Sequence, residues 1–454
     1  MPQRWYAMLV IVLGIAVSVL DSTIVNLALP GIARELHSDA AHAIWVVNAY
    51  QIATLILLLP LASLGDLVGY RRVYLVGITV FAAASLTAVF SRSLNMLIVA
   101  RAVQGMGAAG VMSVNSALVR RVYPRSQLGR GMAINSMVVA TASVAGPSVS
   151  AAILSVAPWP WLFVFNVPLG VLVFVLGRKA LPFNHYRAAP ASRSRFSALD
   201  VLLNALMFAL IFIGVDRLGV HGHEGPGVSP GVSWAILLAG VTVGGVYLRR
   251  QAKLALPLFP VDLMRLPVFA LSMGTSVNSF CAQTLSLIAL PFLLLDSYGC
   301  STFEAGLIIT AWPIGTVCMA PVAGRLIGKY PDSLLSSIGL ILLACGLALL
   351  AALPAHPGHA NIAWRMALCG LGFGLFQSPN NHTIVTSPPL HRSGAASGML
   401  STARLTGQTL GAVVLAGLFS AWPPHDGKGQ VIALAVAACC AALAAVFSML
   451  RIRK

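Results

Sequence analysis

Acidic residues are what this sequence most lacks. Twelve Asp and Glu stand against 29 Lys and Arg in 454 residues, giving a formal charge of +17. All charged residues together make up only 9%, where a soluble domain needs about 25% to keep its surface wet. The first half holds no cysteine. The seven present (Cys281, Cys300, Cys318, Cys345, Cys369, Cys439 and Cys440) show no metal spacing and mostly fall in apolar runs, where they read as small packing residues. A nucleotide-binding loop, zinc spacing, a nucleophile paired with a base and a soluble catalytic domain are all missing. That argues against an enzyme or a signalling scaffold, and against ATP as an energy source. The excess of basic residues does not imply nucleic acid. They sit in short loops between apolar runs, with no basic face or aromatic-interleaved patch.

What is present is apolar length. The chain is 58% hydrophobic, with a mean hydropathy of +0.87. A spanning helix needs about 20 mostly apolar residues. Runs of that kind lie near 7–29, 43–63, 73–90, 96–118, 130–156, 160–178, 198–216, 232–249, 267–295, 303–324, 333–353, 361–386, 395–420 and 430–450. They predict an all-α membrane protein with 14 transmembrane helices. The first run, behind Arg4, exceeds the roughly 7–15 residues of a signal-peptide core, so it is expected to stay as a first helix. Basic residues collect in alternate loops: Arg71, Arg72, Arg120, Arg121 and Arg451 fall on one side. The other side has only Arg34, Arg92, Arg217 and Lys428. By the positive-inside rule both termini of a multi-pass protein are expected in the cytoplasm, and the cell inner membrane is its expected location. The organisation is 6+2+6: residues 1–180 form a first six-helix half and residues 267–454 a second. Residues 181–266 hold a basic cytoplasmic linker and two extra helices. The two six-helix halves are expected to be pseudo-symmetric repeats.

Several local patterns match one family. The first apolar run carries Leu20-Asp21-Ser22-Thr23-Ile24-Val25-Asn26-Leu27-Ala28-Leu29-Pro30. The loop after the second reads Gly65-Asp66-Leu67-Val68-Gly69-Tyr70-Arg71-Arg72, the fourth run carries Arg101-Ala102-Val103-Gln104-Gly105-Met106-Gly107, and the fifth Ala145-Gly146-Pro147. The chain resembles the major facilitator superfamily, specifically its fourteen-helix drug:proton antiporter branch. Ala62, Leu67 and Ser150-Ala151 depart from the usual pattern. The resemblance implies the major facilitator fold and proton-coupled multidrug efflux, in which a proton gradient replaces any cofactor.

Asp21 is the only carboxylate deep within a predicted span. It lies about 14 residues into its helix, or about 20 Å along it, past the middle of a core about 30 Å thick. Burial there disfavours the charged form, so Asp21 is expected to carry protons. Arg101 and Gln104 share a helix face. The resemblance gives Arg101 a part in proton coupling, with snorkelling to the outer interface as the alternative. Asn26, Asn48, Gln51, Gln104, Asn278, Gln283, Gln377, Asn381, His382 and Arg404 are polar residues inside spans and are expected to line a substrate cavity. Asp66, Gly69, Arg71 and Arg72 are read as a conformational latch, and Gly146 with Pro147 as a gate built on a kink and small residues. The extra helix pair shows no recognisable chemistry. His221, His223 and Glu224 in its outer loop lie in a Gly-rich exposed stretch, so no metal is assigned.

The expected function is a proton-coupled antiporter that exports small lipophilic or amphipathic compounds by alternating access, moving protons and a small-molecule substrate through a lipid bilayer. A dedicated exporter or importer of one metabolite uses the same fold. With a single deep acid, neutral or monocationic compounds fit better than dications. No residue pattern identifies a periplasmic adaptor.

Overall fold

In a bilayer the backbone must satisfy its own hydrogen bonds, which a helix does within one segment. The apolar runs accordingly fold as helices. The computed structural model describes residues 2–123, 128–182, 197–220, 230–254, 259–354, 357–388, 393–422 and 427–451. Its helices of 15 residues or more are α1 (Pro2–Ile24), α2 (Trp45–Val68), α3 (Tyr70–Val89), α4 (Leu94–Val122), α5 (Leu128–Leu154), α6 (Asn166–Ala180), α7 (Ala198–Val220), α8 (Pro230–Gln251), α9 (Pro267–Phe292), α10 (Ala311–Leu326), α11 (Asp332–Ala351), α12 (His359–Thr386), α13 (Ser393–Ala421) and α14 (Lys428–Leu450). The described residues form no β-strand.

Among the described residues, 11 helical segments are long and apolar enough to cross a membrane. That count falls short of the 14 expected from hydropathy. The difference lies at α5, α12 and α13. Of these, α12 carries Arg365, Gln377, Asn380, Asn381 and His382, and α13 carries Arg404 and Gln408. Outward-facing side chains elsewhere are apolar: Val76, Leu238, Val241, Leu307 and Ile314 are all more than half exposed, as contact with lipid requires.

Helix pairing repeats along the chain. In the first half α3 packs on α4, α2 on α4, α1 on α5, α1 on α6 and α3 on α6. In the second half α11 packs on α12, α10 on α12, α9 on α13, α9 on α14 and α11 on α14, the same set advanced by eight helices. The halves meet along α2 and α13, and where α5 touches the short helix Thr302–Ile309 that leads into α10. The extra pair, α7 and α8, packs on itself, and α7 also lies against α13 and α2. Phe208 and Phe212 of α7 share an apolar cluster with Ile52, Leu55 and Leu58 of α2 and Leu405 and Val413 of α13. Asn204 of α7 donates to the Ile56 carbonyl at 2.9 Å. The pair therefore braces the seam between the halves.

One end of the bundle is closed across both halves. Ile24–Ile32, Ala41–Val47, Leu285–Leu294, Ala305–Ile309 and Leu415–Phe419 contribute buried side chains to a single apolar cluster there. Pro30 explains the shape of this end. It has no N–H to donate and its ring crowds the Asn26 carbonyl four residues back, so the helix begun as α1, which ends at Ile24, does not run unbroken past it. A 3-10 turn (Asn26–Ala28) follows, and then a new helix, Leu29–Glu35.

At the opposite end α2 and α3 are separated by one residue. Gly69 caps both helices with φ 103° and ψ 132°, a backbone state that L side chains rarely adopt. Gly69→Ala should therefore destabilise the protein by about 1–3 kcal/mol, read as a lower midpoint of thermal unfolding in detergent. Conversely, Gly65→Ala at this turn meets side chains of Val114 and Tyr70 and tests packing instead of backbone strain.

Candidate functional site

The polar centre of the first half is built where glycine lets helix backbones touch. A methyl group on Gly105 would lie 2.3 Å from the Tyr50 carbonyl oxygen, and one on Gly107 would lie 2.4 Å from the Phe81 nitrogen. With hydrogen in place of Cβ, α4 lies directly against α2 and α3. That contact brings Arg101 and Gln104 of α4, Tyr50 of α2 and Ser85 of α3 around Asp21 of α1.

Asp21 is fully buried and every contact to it comes from a donor. Arg101 Nη1 reaches Oδ2 at 2.5 Å, with both side chains fully buried. On Oδ1 it receives Gln104 Nε2 at 3.0 Å and Asn166 Nδ2, from the start of α6, at 2.5 Å. Gln104 also donates to Ser85 Oγ at 2.7 Å and accepts from Arg101 Nη1 at 2.7 Å. Arg101 Nε donates to the Val46 carbonyl at 3.0 Å. Its guanidinium lies 4.3 Å from the centre of the Tyr50 ring and 5.7 Å from that of Phe163, within cation–π range. Tyr50 is fixed in turn by its hydroxyl, which donates to the Ser18 carbonyl at 2.7 Å. Snorkelling of Arg101 is thereby overturned: the guanidinium points inward, because a carboxylate and a carbonyl await it there. Ser85, Asn166 and Tyr50 were not singled out from the sequence.

Other expected cavity residues divide into two groups. Asn26, Asn48, Gln51, Gln283 and Arg404 are buried. Of these, Asn26 Oδ1, both amide atoms of Asn48, Gln51 Oε1 and Arg404 Nε have no hydrogen-bond partner among the described residues, and neither does Oε1 of Gln408, one turn beyond Arg404. The remainder sit elsewhere. Asn278 is half-buried and turns its amide onto its own helix, donating to the Gly274 carbonyl at 2.9 Å. Gln377 and Asn381 are half-buried. His382 is exposed and paired with Asp332 at 2.6 Å, so it does not line a buried cavity. Its neighbour Asn380 is buried and meets Ser276 Oγ and Arg451 Nη1, each at 2.8 Å. Arg451 is itself buried, with Ser272 and Ser448 as further acceptors at 2.8 and 2.7 Å. Counted from sequence as a basic tail residue, it instead ties α14 to α9 and α12.

At the α2–α3 turn, Arg71 is half-buried and donates to the Arg178 carbonyl, whereas Arg72 is exposed. The side chain of Asp66 lies outside those described, as do His221, His223 and Glu224. In α5, Gly146 and Pro147 are buried, and a methyl group on Gly146 would lie 2.0 Å from Thr23 Oγ1 of α1. Farther along α5, Ala151 faces Gly306 so closely that a methyl there would sit 2.1 Å away, and Ser148 bonds Thr310 at 3.0 Å. Through these contacts α5 touches α1 of its own half and the α10 segment of the other.

The chain matches the Major Facilitator Superfamily over residues 11–412. It is 50% identical over 452 residues to the uncharacterized transporter YebQ of Escherichia coli (strain K12), covering 100% of this chain and 96% of that one. The riboflavin transporter RibZ of Clostridioides difficile (strain 630) is 27% identical, with 92% of this chain and 89% of that one covered. The multidrug resistance protein Stp of Mycobacterium tuberculosis (strain CDC 1551 / Oshkosh) is 28% identical, with 90% and 75% covered.

Two outcomes follow from the geometry. Arg101→Ala strands the Asp21 carboxylate and should cost about 3–5 kcal/mol of stability, whereas Arg72→Ala at the exposed turn should stay within about 0.5 kcal/mol. Thermal unfolding of the purified variants measures both. Gly146→Ala should destabilise the α1–α5 contact, and adding Thr23→Ala should recover part of the loss because it removes the hydroxyl that the new methyl meets. A double-mutant cycle reads that coupling.

Proposed function

Because the chain belongs to the Major Facilitator Superfamily, we propose that it is a proton-coupled antiporter exporting small amphipathic or lipophilic compounds across the cell inner membrane by alternating access. The observation that carries this is the buried Asp21 carboxylate, held by Arg101, Gln104 and Asn166. A proton arriving at Asp21 cancels the charge that faces Arg101 and turns one acceptor oxygen into a donor. The guanidinium keeps the Val46 carbonyl, Gln104 and the Tyr50 ring as partners, so it can stay buried while α1 is released from α4 and α6. Proton and substrate must favour oppositely facing states, or no coupling results. Movement of α1 is the natural link, since α1 also carries Thr23 against Gly146 and Asn26 at its break.

In this proposal α5, α12 and α13 cross the membrane with the other helices, giving fourteen crossings arranged 6+2+6 and both termini in the cytoplasm. The units are residues 1–180, 181–266 and 267–454. The cluster-sealed end then faces outward, and the Gly69 turn with Asp66, Arg71 and Arg72 lies inside as the latch. The energy source is the proton gradient, without a cofactor, and the partners are protons, the transported compound and lipid. Likeness to a multidrug resistance protein supports a broad substrate range. A dedicated transporter of one metabolite is the second reading, favoured by the likeness to a riboflavin transporter.

Everted membrane vesicles carrying a pH-sensitive dye test the proposal. Several amphipathic compounds should each dissipate an imposed proton gradient in the parent protein and not in Asp21→Asn. A response to one compound alone would favour the dedicated transporter. Undiminished proton-driven export by Asp21→Asn would remove Asp21 from the mechanism.

A further inference from the structure

The single deep acid is already saturated. Asp21 receives a guanidinium and two amide donors, which leaves no carboxylate at this centre to attract a cationic compound. The surplus is of the other sign. Arg404 of α13 is more than nine-tenths buried, yet none of the ion pairs among the described residues involves it, and its Nε has no acceptor. A buried, unpaired guanidinium is costly and is expected to have an anion supplied from somewhere.

The surroundings of Arg404 are equally unsatisfied. On α13, Arg404 and Gln408 are four residues apart and share a face. Across the seam α13 meets α2, where Ile52, Leu55 and Leu58 join Leu405, next to Arg404, in one cluster and Leu59 approaches Gly398. Asn48, Ile52, Leu55 and Leu59 follow the 4-3-4 spacing of one helical stripe, and Gln51, Leu55 and Leu58 follow the adjacent one. Asn48 and Gln51 therefore lie on the side of α2 turned toward α13. Between them in sequence is Tyr50, which interacts electrostatically with Arg404. Among the described residues Asn48 is fully buried with neither amide atom bonded, and Gln51 Oε1 and Gln408 Oε1 are buried without donors. Polar groups left open in this way within a membrane protein mark a place that something polar fills.

We infer that Arg404, with Asn48, Gln51 and Gln408, binds the carboxylate or similar planar oxyanion head of an amphipathic organic anion, and that such anions are the substrate class. A guanidinium presents its N–H donors in a planar fork that matches a carboxylate, whereas an ammonium does not. The three amides supply donors for the remaining anion lone pairs and acceptors for hydroxyl or amide hydrogens on the substrate body. Asn26, with an open buried Oδ1 at the break after α1, offers one further acceptor from the first half. The inference deepens the transport function proposed above and rests on it, but ligand binding at equilibrium needs no proton gradient. Failure of coupling and failure of the anion site are thus read separately.

The test uses the full chain purified in detergent and three probes that differ only in head group: 2-naphthoate, 2-naphthamide and 2-naphthyltrimethylammonium. Binding is followed by calorimetry. The carboxylate should bind most tightly, and Arg404→Gln should weaken it about ten-fold or more while changing the amide much less. Arg404→Lys should retain part of the affinity, and Asn48→Ala or Gln408→Ala should weaken the carboxylate without removing the charge. Size-exclusion and thermal profiles matching the parent confirm that each variant is folded. Equal affinity for carboxylate and amide, or tighter binding of the ammonium, would overturn the proposal. So would an Arg404→Gln variant that binds the carboxylate unchanged. Displacement of 2-naphthoate by equimolar chloride or phosphate would assign the site to an inorganic anion and equally overturn the organic class.

Discussion

A buried ion pair in a membrane protein must be satisfied on every side, and the first half of this protein is organised around that demand. Taking a carboxylate and a guanidinium out of water costs several kcal/mol per ion, and the return depends on close geometry and on filling the remaining lone pairs. Asp21 and Arg101 meet both conditions only because Gln104, beside Arg101 on α4, and three other helices supply partners: Asn166 from α6, Ser85 from α3, and the Tyr50 ring with the Val46 carbonyl from α2. The glycines of α4 belong to the same requirement. Without Gly105 against the Tyr50 carbonyl and Gly107 against Phe81, the helices would stand too far apart for those side chains to converge.

The two halves share a pairing pattern but not a polar centre. In the second half two cations are buried, Arg404 and Arg451; Arg451, at the end of α14, has serines and an asparagine as its acceptors and no carboxylate among the described residues bonded to it. That network ties three helices near one end of the bundle and gives no counterpart to Asp21. The frame is symmetric in its helix pairing, whereas its buried polar networks are not. The seam between the halves is held in two ways: apolar packing and small-residue contacts close one end, and α7 runs along the middle of α2 and α13 as a brace.

Much of the fold was legible because lipid imposes one rule, apolar length, on every span. The rule fails where a span does polar work, which is why α12 and α13 stand apart from the eleven clearly apolar segments. Asp21, Arg101 and Gln104 were recognisable one at a time, since ionisable and amide side chains in apolar runs need a reason. Their mutual contact was not, because 80 residues separate Asp21 from Arg101 and no local pattern encodes that distance. Asn166 and Ser85 gave no signal beyond being polar. His382 was misplaced for a geometric reason. It lies about 23 residues, or about 35 Å, along a helix longer than the bilayer core, so it emerges at the end and not at the middle. Arg451 erred the other way, because a basic residue at a helix end resembles a topology signal until neighbouring helices are seen to cover it.

The open guanidinium of Arg404 has a consequence for energetics that concerns voltage. With a monoanion as cargo, outward export against one inward proton moves two unit charges in the same electrical direction, whereas a neutral cargo moves one. Each charge crossing 100 mV is worth about 2.3 kcal/mol, so an interior-negative membrane would contribute about twice as much to pumping an anion as to pumping a neutral compound. A carrier with that stoichiometry would keep expelling its cargo when the pH difference across the membrane vanishes, powered by the membrane potential alone.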